Sequence, residues 1–88
     1  MMVAICFLGT GYLDYNKGIT ETDWEIAHMK KGMINSSKRL VALTISKKLN
    51  TRNRYKICEV NTLNDLVTEL DPTSELLIPY KEKGVKLI

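Results

Sequence analysis

Apolar and polar residues follow one another in blocks that predict strands and helices in turn. The first block, Val3 to Leu8, is continuously apolar and stops at a glycine-rich segment, which is typical of a strand buried on both faces of a parallel sheet. From Gly9 to Thr22 the chain is mostly polar and holds three glycines, so we expect a long loop. Arg39 to Ile45 predicts a second buried strand.

Between these two strands the pattern predicts an amphipathic helix. Thr22 or Asp23 can cap it, with Glu25 in the first turn where the helix dipole favours an anion. Its larger apolar residues recur at helical spacing: Ile26, Met29 and Met33. We expect this stripe to face the core, and we expect the helix to end near Asn35.

The second half of the chain predicts shorter elements. Three further strands are expected, at Tyr55 to Val60, Leu66 to Leu70 and Val85 to Ile88. Leu63 to Asp65 predicts a turn of helix, and Asp71-Pro72 opens a helix that Pro79 should kink or break and Gly84 should end. Strands that alternate with helical patterns indicate an α/β fold, a Rossmann-like and mostly parallel sheet with crossover helices.

Composition and charge narrow the class of protein. The chain has 88 residues, which is one domain or a piece of one, and a chain of this size buries only about 60% of its unfolded surface. An apolar fraction of 44% fits a globular protein, and a net charge of +3 without a nucleic-acid-reading motif does not indicate DNA contact. The apolar run from Met1 to Leu8 is too short for a membrane span and lacks a signal-peptide pattern, so we expect a cytoplasmic protein.

The two cysteines predict packing residues rather than chemistry. Cys6 and Cys58 both lie in apolar, strand-like runs, as buried thiols do in a reducing compartment. A disulfide between neighbouring strands is the alternative. Two cysteines and one histidine make no metal site, so we predict neither a metal nor a cofactor.

Ser46 and Lys47 are the candidate binding residues that the pattern itself indicates. They stand where the second buried strand stops, and open α/β sheets build their ligand sites at the carboxyl ends of strands. A lysine there can hold a phosphate as a point charge. We therefore predict a site for a small anionic metabolite, the alternatives being a solvated lysine and a serine that caps the following turn.

Several short motifs, taken in order, resemble one known family. They are Phe7-Leu8-Gly9-Thr10, Leu13-Asp14, Gly18-Ile19-Thr20, Lys30-Lys31-Gly32-Met33-Ile34, Ser46-Lys47, the Leu66-to-Glu69 strand and Lys83-Gly84-Val85. Together they are similar to the C-terminal half of the sugar-phosphate-sensing domain of DeoR-type transcriptional repressors. The resemblance covers nearly the whole chain.

The resemblance implies a fold, a partner and a function. The sensor fold of this family is shared with ribose-5-phosphate isomerase and glucosamine-6-phosphate deaminase. Residues 1–88 would form the C-terminal half of an effector-binding domain, and DNA would be bound by an N-terminal winged helix-turn-helix that lies outside these residues. The implied function is to sense a phosphorylated sugar for the repressor of a carbohydrate operon, a lactose phosphotransferase operon being the specific expectation, in a protein that forms homo-oligomers.

The resemblance also implies a set of ligand-binding residues: Gly9, Thr10, Asp14, Gly18, Thr20, Lys30, Ser46 and Lys47. The glycines also fit as turn residues, and Asp14 and Thr20 also fit as turn or cap residues.

Three positions depart from the family pattern. Thr44 stands where the pattern has an aspartate, Ile26 where it has a glutamate, and Tyr12 where it has a glycine. Lacking that glutamate, Lys30 is expected to be exposed. Since proton transfer needs a positioned carboxylate, we expect no enzyme activity. The alternatives are a degenerate sensor that serves only for oligomerisation and, less favoured, a sugar-phosphate isomerase-like enzyme.

Overall fold

The main apolar runs form a four-stranded parallel sheet in a computed structural model of the chain, which describes residues 3–88. Met1 and Met2, the start of the first apolar run, lie outside the described residues. The strands of the sheet lie in the order β1 (Val3–Gly9), β4 (Ser37–Leu43), β6 (Asp65–Val67) and β7 (Lys86–Leu87). The predicted α/β class with a parallel, Rossmann-like sheet is confirmed.

A second, antiparallel sheet was not expected from the sequence. It pairs β2 (Tyr12–Asp14), β3 (Gly18–Glu21) and β5 (Tyr55–Cys58), so the prediction of a long loop over residues 9–22 is wrong. The Asp14 carboxylate closes the hairpin by accepting hydrogen bonds from the backbone N–H groups of Asn16 (3.0 Å) and Lys17 (2.9 Å). Because a local Asx turn joins two short strands, this segment contains no long apolar run that would indicate a strand in the sequence.

Helix α1 (Trp24–Asn35) has the predicted ends but not the predicted buried face. Its cap is Asp23, whose carboxylate accepts from the N–H groups of the next turn. The apolar stripe is exposed, at 39% for Ile26, 58% for Met29 and 43% for Met33, and the buried contact is made by Ala27. The prediction of a core-facing stripe is wrong because α1 packs with its alanine face toward the antiparallel sheet, where a small side chain allows close approach.

One face of the parallel sheet carries the core and the other is largely open. Cys6 and Leu8 point into the core together with residues of both sheets and both helices, whereas Ile5 (46%) and Phe7 (62%) are exposed. β1 is therefore not buried on both faces, because it is an edge strand and the described elements cover one side of it. We call the exposed residues Ile5, Phe7 and Leu43, which share the uncovered side, the open face.

The C-terminal segment is less helical than predicted. No continuous helix follows Asp71; a turn leads to a 3₁₀ turn at Glu75–Leu77 and then to α2 (Ile78–Glu82), with Pro79 in the first turn of α2. A proline has no N–H to donate, so it suits this position and sets the break that was expected. Gly84, at φ +91°, ends the helix as predicted.

Two smaller features complete the fold. The turn of helix predicted at Leu63 to Asp65 is wrong in position: a 3₁₀ turn lies just before it, at Val60–Thr62, and Asp65 begins β6. Cys6 is buried and Cys58 partly buried, and both are free thiols, as expected.

Candidate functional site

The carboxyl ends of β1, β4 and β6 form one polar edge of the parallel sheet. Thr10 continues β1 and its N–H donates to the Leu43 carbonyl at 3.1 Å, and the N–H of Thr44 donates to the Val67 carbonyl at 3.0 Å. The residues that follow the three strands are therefore neighbours. We call the set Gly9, Thr10, Thr44, Ser46, Lys47 and Glu69, with the Lys30 side chain that reaches Gly9, the carboxyl edge.

Two buried hydroxyl groups lie side by side on this edge. The Oγ1 atoms of Thr10 and Thr44 are hydrogen-bonded, and both residues are at most 9% exposed. Thr10 is one of the predicted ligand residues, and Thr44 stands where the family pattern has an aspartate. Their contact ties the ends of β1 and β4 together.

Lys30 has a carboxylate partner that the sequence did not reveal. Its Nζ atom donates to Oε1 of Glu21 at 2.8 Å and to the Gly9 carbonyl at 3.2 Å, and the two side chains are only 16% and 10% exposed. The expectation of an exposed Lys30 without a partner is wrong. Glu21 ends β3 and Lys30 lies more than one turn into α1, so the turn between the two elements brings the charges together.

Ser46 presents two donors to a single carboxylate. Its N–H donates to Oε1 of Glu69 at 2.9 Å and its hydroxyl donates to Oε2 at 2.5 Å, while the Thr68 hydroxyl also donates to Oε1 at 2.9 Å. The hydrogen bonds from Ser46, and then that from Thr68, lower the pKa of Glu69 to about 2, so this carboxylate is ionised at neutral pH.

Lys47 follows on the same 3₁₀ turn (Ser46–Lys48) and is exposed. The Ser46-Lys47 pair therefore stands at the same edge of the sheet as the Gly9-Thr10 segment.

The other predicted ligand residues are engaged in the antiparallel sheet. Asp14 is buried, closes the hairpin and accepts from the Arg52 guanidinium at 3.2 Å. The Thr20 hydroxyl accepts from the Asn53 N–H at 2.8 Å. A Cβ on Gly18 would lie 2.0 Å from the Cys58 carbonyl oxygen, and this glycine has φ +81°. The structure thus brings together five of the eight predicted residues: Gly9, Thr10, Lys30, Ser46 and Lys47.

The carboxyl edge offers both charges and several hydroxyl groups. Lys30 and Lys47 supply cations, Glu69 supplies a carboxylate, and Glu21, the partner of Lys30, adds a second one beside the edge. The threonine and serine hydroxyls can both donate and accept. Such a mixture fits a small molecule that has many hydroxyl groups and one anionic end.

Comparison with known proteins decides the family. The sequence profile of the DeoR C terminal sensor domain matches residues 1–70 of the 88. The chain belongs to this family. It is accordingly the effector-binding part of a DeoR-type transcriptional regulator. Among curated proteins none matches the chain at a significant level.

The DeoR sensor carries no helix, within residues 3–88, that has the length and apolar character needed to cross a bilayer.

Proposed function

We propose that this DeoR sensor binds a phosphorylated sugar at the carboxyl edge and so controls a repressor of a carbohydrate operon, such as a lactose phosphotransferase operon. One observation carries the proposal: the N–H and the hydroxyl of Ser46 converge on an anion at the end of a parallel strand. In open α/β sheets this is the place where ligands bind. Operator contact belongs to a winged helix-turn-helix module, which the family pattern puts N-terminal to the sensor.

In the structure the anion is a side chain of the protein itself, because the Glu69 carboxylate accepts the hydrogen bonds from both Ser46 donors. A phosphate oxygen accepts the same donors and gains the nearby charge of Lys47. Glu69 is exposed, so its side chain can turn into solvent when a phosphate takes its place. Sugar phosphates must therefore compete with Glu69, and we expect their affinity for the wild-type protein to be weak.

The sugar hydroxyls would meet the Glu21–Lys30 end of the edge. The Glu21 carboxylate accepts from a hydroxyl and the Lys30 ammonium donates to one, while Gly9 carries no side chain to block the approach. Thr10 and Thr44 connect this pair to Ser46: Thr10 follows Gly9, and its hydroxyl is hydrogen-bonded to that of Thr44, which lies two residues before Ser46.

Calorimetric titration with glucose 6-phosphate and galactose 6-phosphate tests the proposal. We expect Glu69→Gln to bind several-fold more tightly than the wild type, because the competing charge is gone, and Ser46→Ala to bind more weakly. Glu59→Gln is the matched control, since Glu59 is an exposed glutamate paired with Lys56. If neither the wild type nor Glu69→Gln gives saturable binding at millimolar concentration, the site assignment is wrong.

We propose a binding function rather than an enzymatic one. The two positions where the family pattern has acidic residues hold Thr44 and Ile26. The Thr44 hydroxyl is hydrogen-bonded to the Thr10 hydroxyl. Glu21 lies beside Lys30 and is the one carboxylate bonded to it among the described residues. Interconversion of an aldose and a ketose phosphate that is lost in Glu21→Gln would contradict this proposal.

Self-association is a second candidate function, and the open face supports it. Ile5 and Phe7 are exposed on an edge strand, and they form with Met33 the wall of an apolar groove of about 470 Å³. A second copy of the chain can cover this surface, since an uncovered strand edge and apolar side chains favour pairing.

Sedimentation at micromolar concentration tests for the dimer. We expect Phe7→Ser to shift the protein to monomer, whereas Leu76→Ser, which changes an exposed leucine in the 3₁₀ turn before α2, should not. A wild-type protein that is monomeric throughout would contradict self-association.

A further inference from the structure

A polar cavity lies between α1 and β5, and none of its lining residues belongs to the carboxyl edge. Its volume is about 340 Å³, within the range of small-ligand sites. The side chains that give it character are three from α1 and three from β5 or the residue before it: Trp24, His28 and Lys31, then Arg54, Tyr55 and Lys56.

The α1 wall is a flat aromatic platform. The rings of Trp24 and His28 are stacked, with centroids 5.2 Å apart and planes at 8° to each other. Trp24 is nonetheless 59% exposed, which leaves much of a large apolar ring in water at the mouth of the cavity. An exposed indole held flat by a neighbouring ring is suited to stacking on a planar ligand.

The rest of the lining is cationic. Lys31, Arg54 and Lys56 all face the cavity, and no aspartate or glutamate is among its lining residues. Lys56 is paired with Glu59, whereas Lys31 and Arg54 form no ion pair within residues 3–88. The Arg54 guanidinium lies over the Tyr55 ring at 6.0 Å, which holds the charge beside the cavity.

We infer that this cavity binds a nucleotide, with its base stacked on Trp24 and its phosphate between Lys31 and Arg54. An aromatic platform beside cations is the combination that binds a base and its phosphate in single-stranded nucleic acid complexes. The same chemistry is offered by a free nucleotide and by a nucleotide within a single strand. A sugar phosphate has no planar base to stack on Trp24, so we expect this site to bind it more weakly than a nucleotide.

The fluorescence of Trp24 measures binding directly, because it is the one tryptophan of the chain. AMP is titrated with excitation at the red edge of the indole band, in parallel with inorganic phosphate, galactose 6-phosphate and a short oligothymidylate. We expect saturable quenching by AMP or by the oligonucleotide and none by the two ligands without a base. Tighter binding by AMP identifies the free nucleotide as the source, and tighter, salt-sensitive binding by the oligonucleotide identifies the strand.

Variants separate the stacking and the charge contributions. Trp24→Ala, followed by calorimetry, should weaken binding by about ten-fold, the order expected for loss of one base stack. Arg54→Gln and Lys31→Gln should each weaken it too, while Lys81→Gln, which changes an exposed lysine on α2, should leave it unchanged. Circular dichroism is used to check that each variant is folded.

Two results would overturn the inference. One is the absence of saturable quenching by both AMP and the oligonucleotide at millimolar concentration in the wild-type protein. The other is displacement of AMP by equimolar inorganic phosphate. It would show that the cations bind the phosphate group and that the aromatic platform does not contribute to AMP binding. Ser46→Ala should leave AMP binding unchanged, so failure here is distinct from failure of the proposed effector site.

Discussion

Replacing Glu21 with glutamine removes one charge of the Glu21–Lys30 pair while keeping nearly the same side-chain shape. In the wild type the Lys30 ammonium bridges the Glu21 carboxylate (2.8 Å) and the Gly9 carbonyl (3.2 Å), and so fastens α1 to the ends of β1 and β3. In Glu21→Gln the bond to Gly9 remains, and the amide oxygen can still accept from Lys30. What is lost is the opposite charge beside a mostly buried ammonium.

The size of the effect follows from the burial of the pair. Exposed pairs contribute about 0–1 kcal/mol, and removing one partner of a fully buried pair costs about 3–5 kcal/mol. With side chains 16% and 10% exposed and a surviving neutral hydrogen bond, we expect Glu21→Gln to lower the free energy of unfolding by about 2 kcal/mol. In a domain of this size that lowers Tm by roughly 10 °C.

Urea unfolding followed by circular dichroism measures the change, and a double-mutant cycle with Lys30→Met isolates the pair. We expect a coupling energy of about 1 kcal/mol or more. The exposed Lys56–Glu59 pair is the control, for which the cycle should give about 0.5 kcal/mol or less. A Glu21→Gln variant as stable as the wild type, or equal coupling in the two pairs, would refute the assignment of Glu21 as the partner of Lys30.

Three further outcomes are expected. Gly18→Ala should lower the free energy of unfolding by about 3 kcal/mol or more, since the φ of Gly18 is +81° and the new Cβ would meet the Cys58 carbonyl oxygen. Gly84→Ala, with a similar φ but open space around it, should lower it by about 1 kcal/mol. Equal losses in urea unfolding would contradict the close contact at Gly18. Tyr80→Phe should cost about 1–2 kcal/mol in the same assay, because its hydroxyl accepts from the Asn50 N–H (3.1 Å) and donates to the Asn50 side chain (2.9 Å). Burial raises the pKa of the Cys58 thiol from 9.0 to about 11, so its thiolate fraction at neutral pH falls about 100-fold. A thiol reagent should therefore label Cys58 far more slowly in the folded chain than in the urea-unfolded chain. Equal labelling rates would contradict its burial.

Local signals in the sequence sufficed for much of the fold. The cap at Asp23, the glycine stop at Gly84 and the apolar runs of β1 and β4 each act within a few residues, so they could be predicted. The antiparallel sheet could not, because β2 and β3 are three and four residues long and their hairpin is closed by one carboxylate.

Whether an apolar stripe faces the core or the solvent depends on which other element packs against it. The spacing of apolar residues along the sequence does not contain that information. Met29 and Met33 recur at helical spacing as core residues do, yet they are exposed, because α1 docks through Ala27. For the same reason the alternation of Phe7 and Leu8 between solvent and core was hidden in a run in which both are apolar.

The candidate site was only partly accessible to sequence reasoning. Ser46 and Lys47 could be found because a strand end is a local feature. Glu21 and Glu69 could not, since each reaches its partner across a turn or from another strand: Glu21 is nine residues from Lys30, and Glu69 is 23 residues from Ser46.

Mapping backbone amide shifts by NMR during a titration with galactose 6-phosphate tests the carboxyl-edge site most directly. We expect the largest changes at Gly9, Thr10 and Thr44 and at the Ser46 N–H, which would exchange the Glu69 carboxylate for a phosphate oxygen. Saturable changes confined to other parts of the chain, or no change at Ser46, would contradict an effector site at the carboxyl edge.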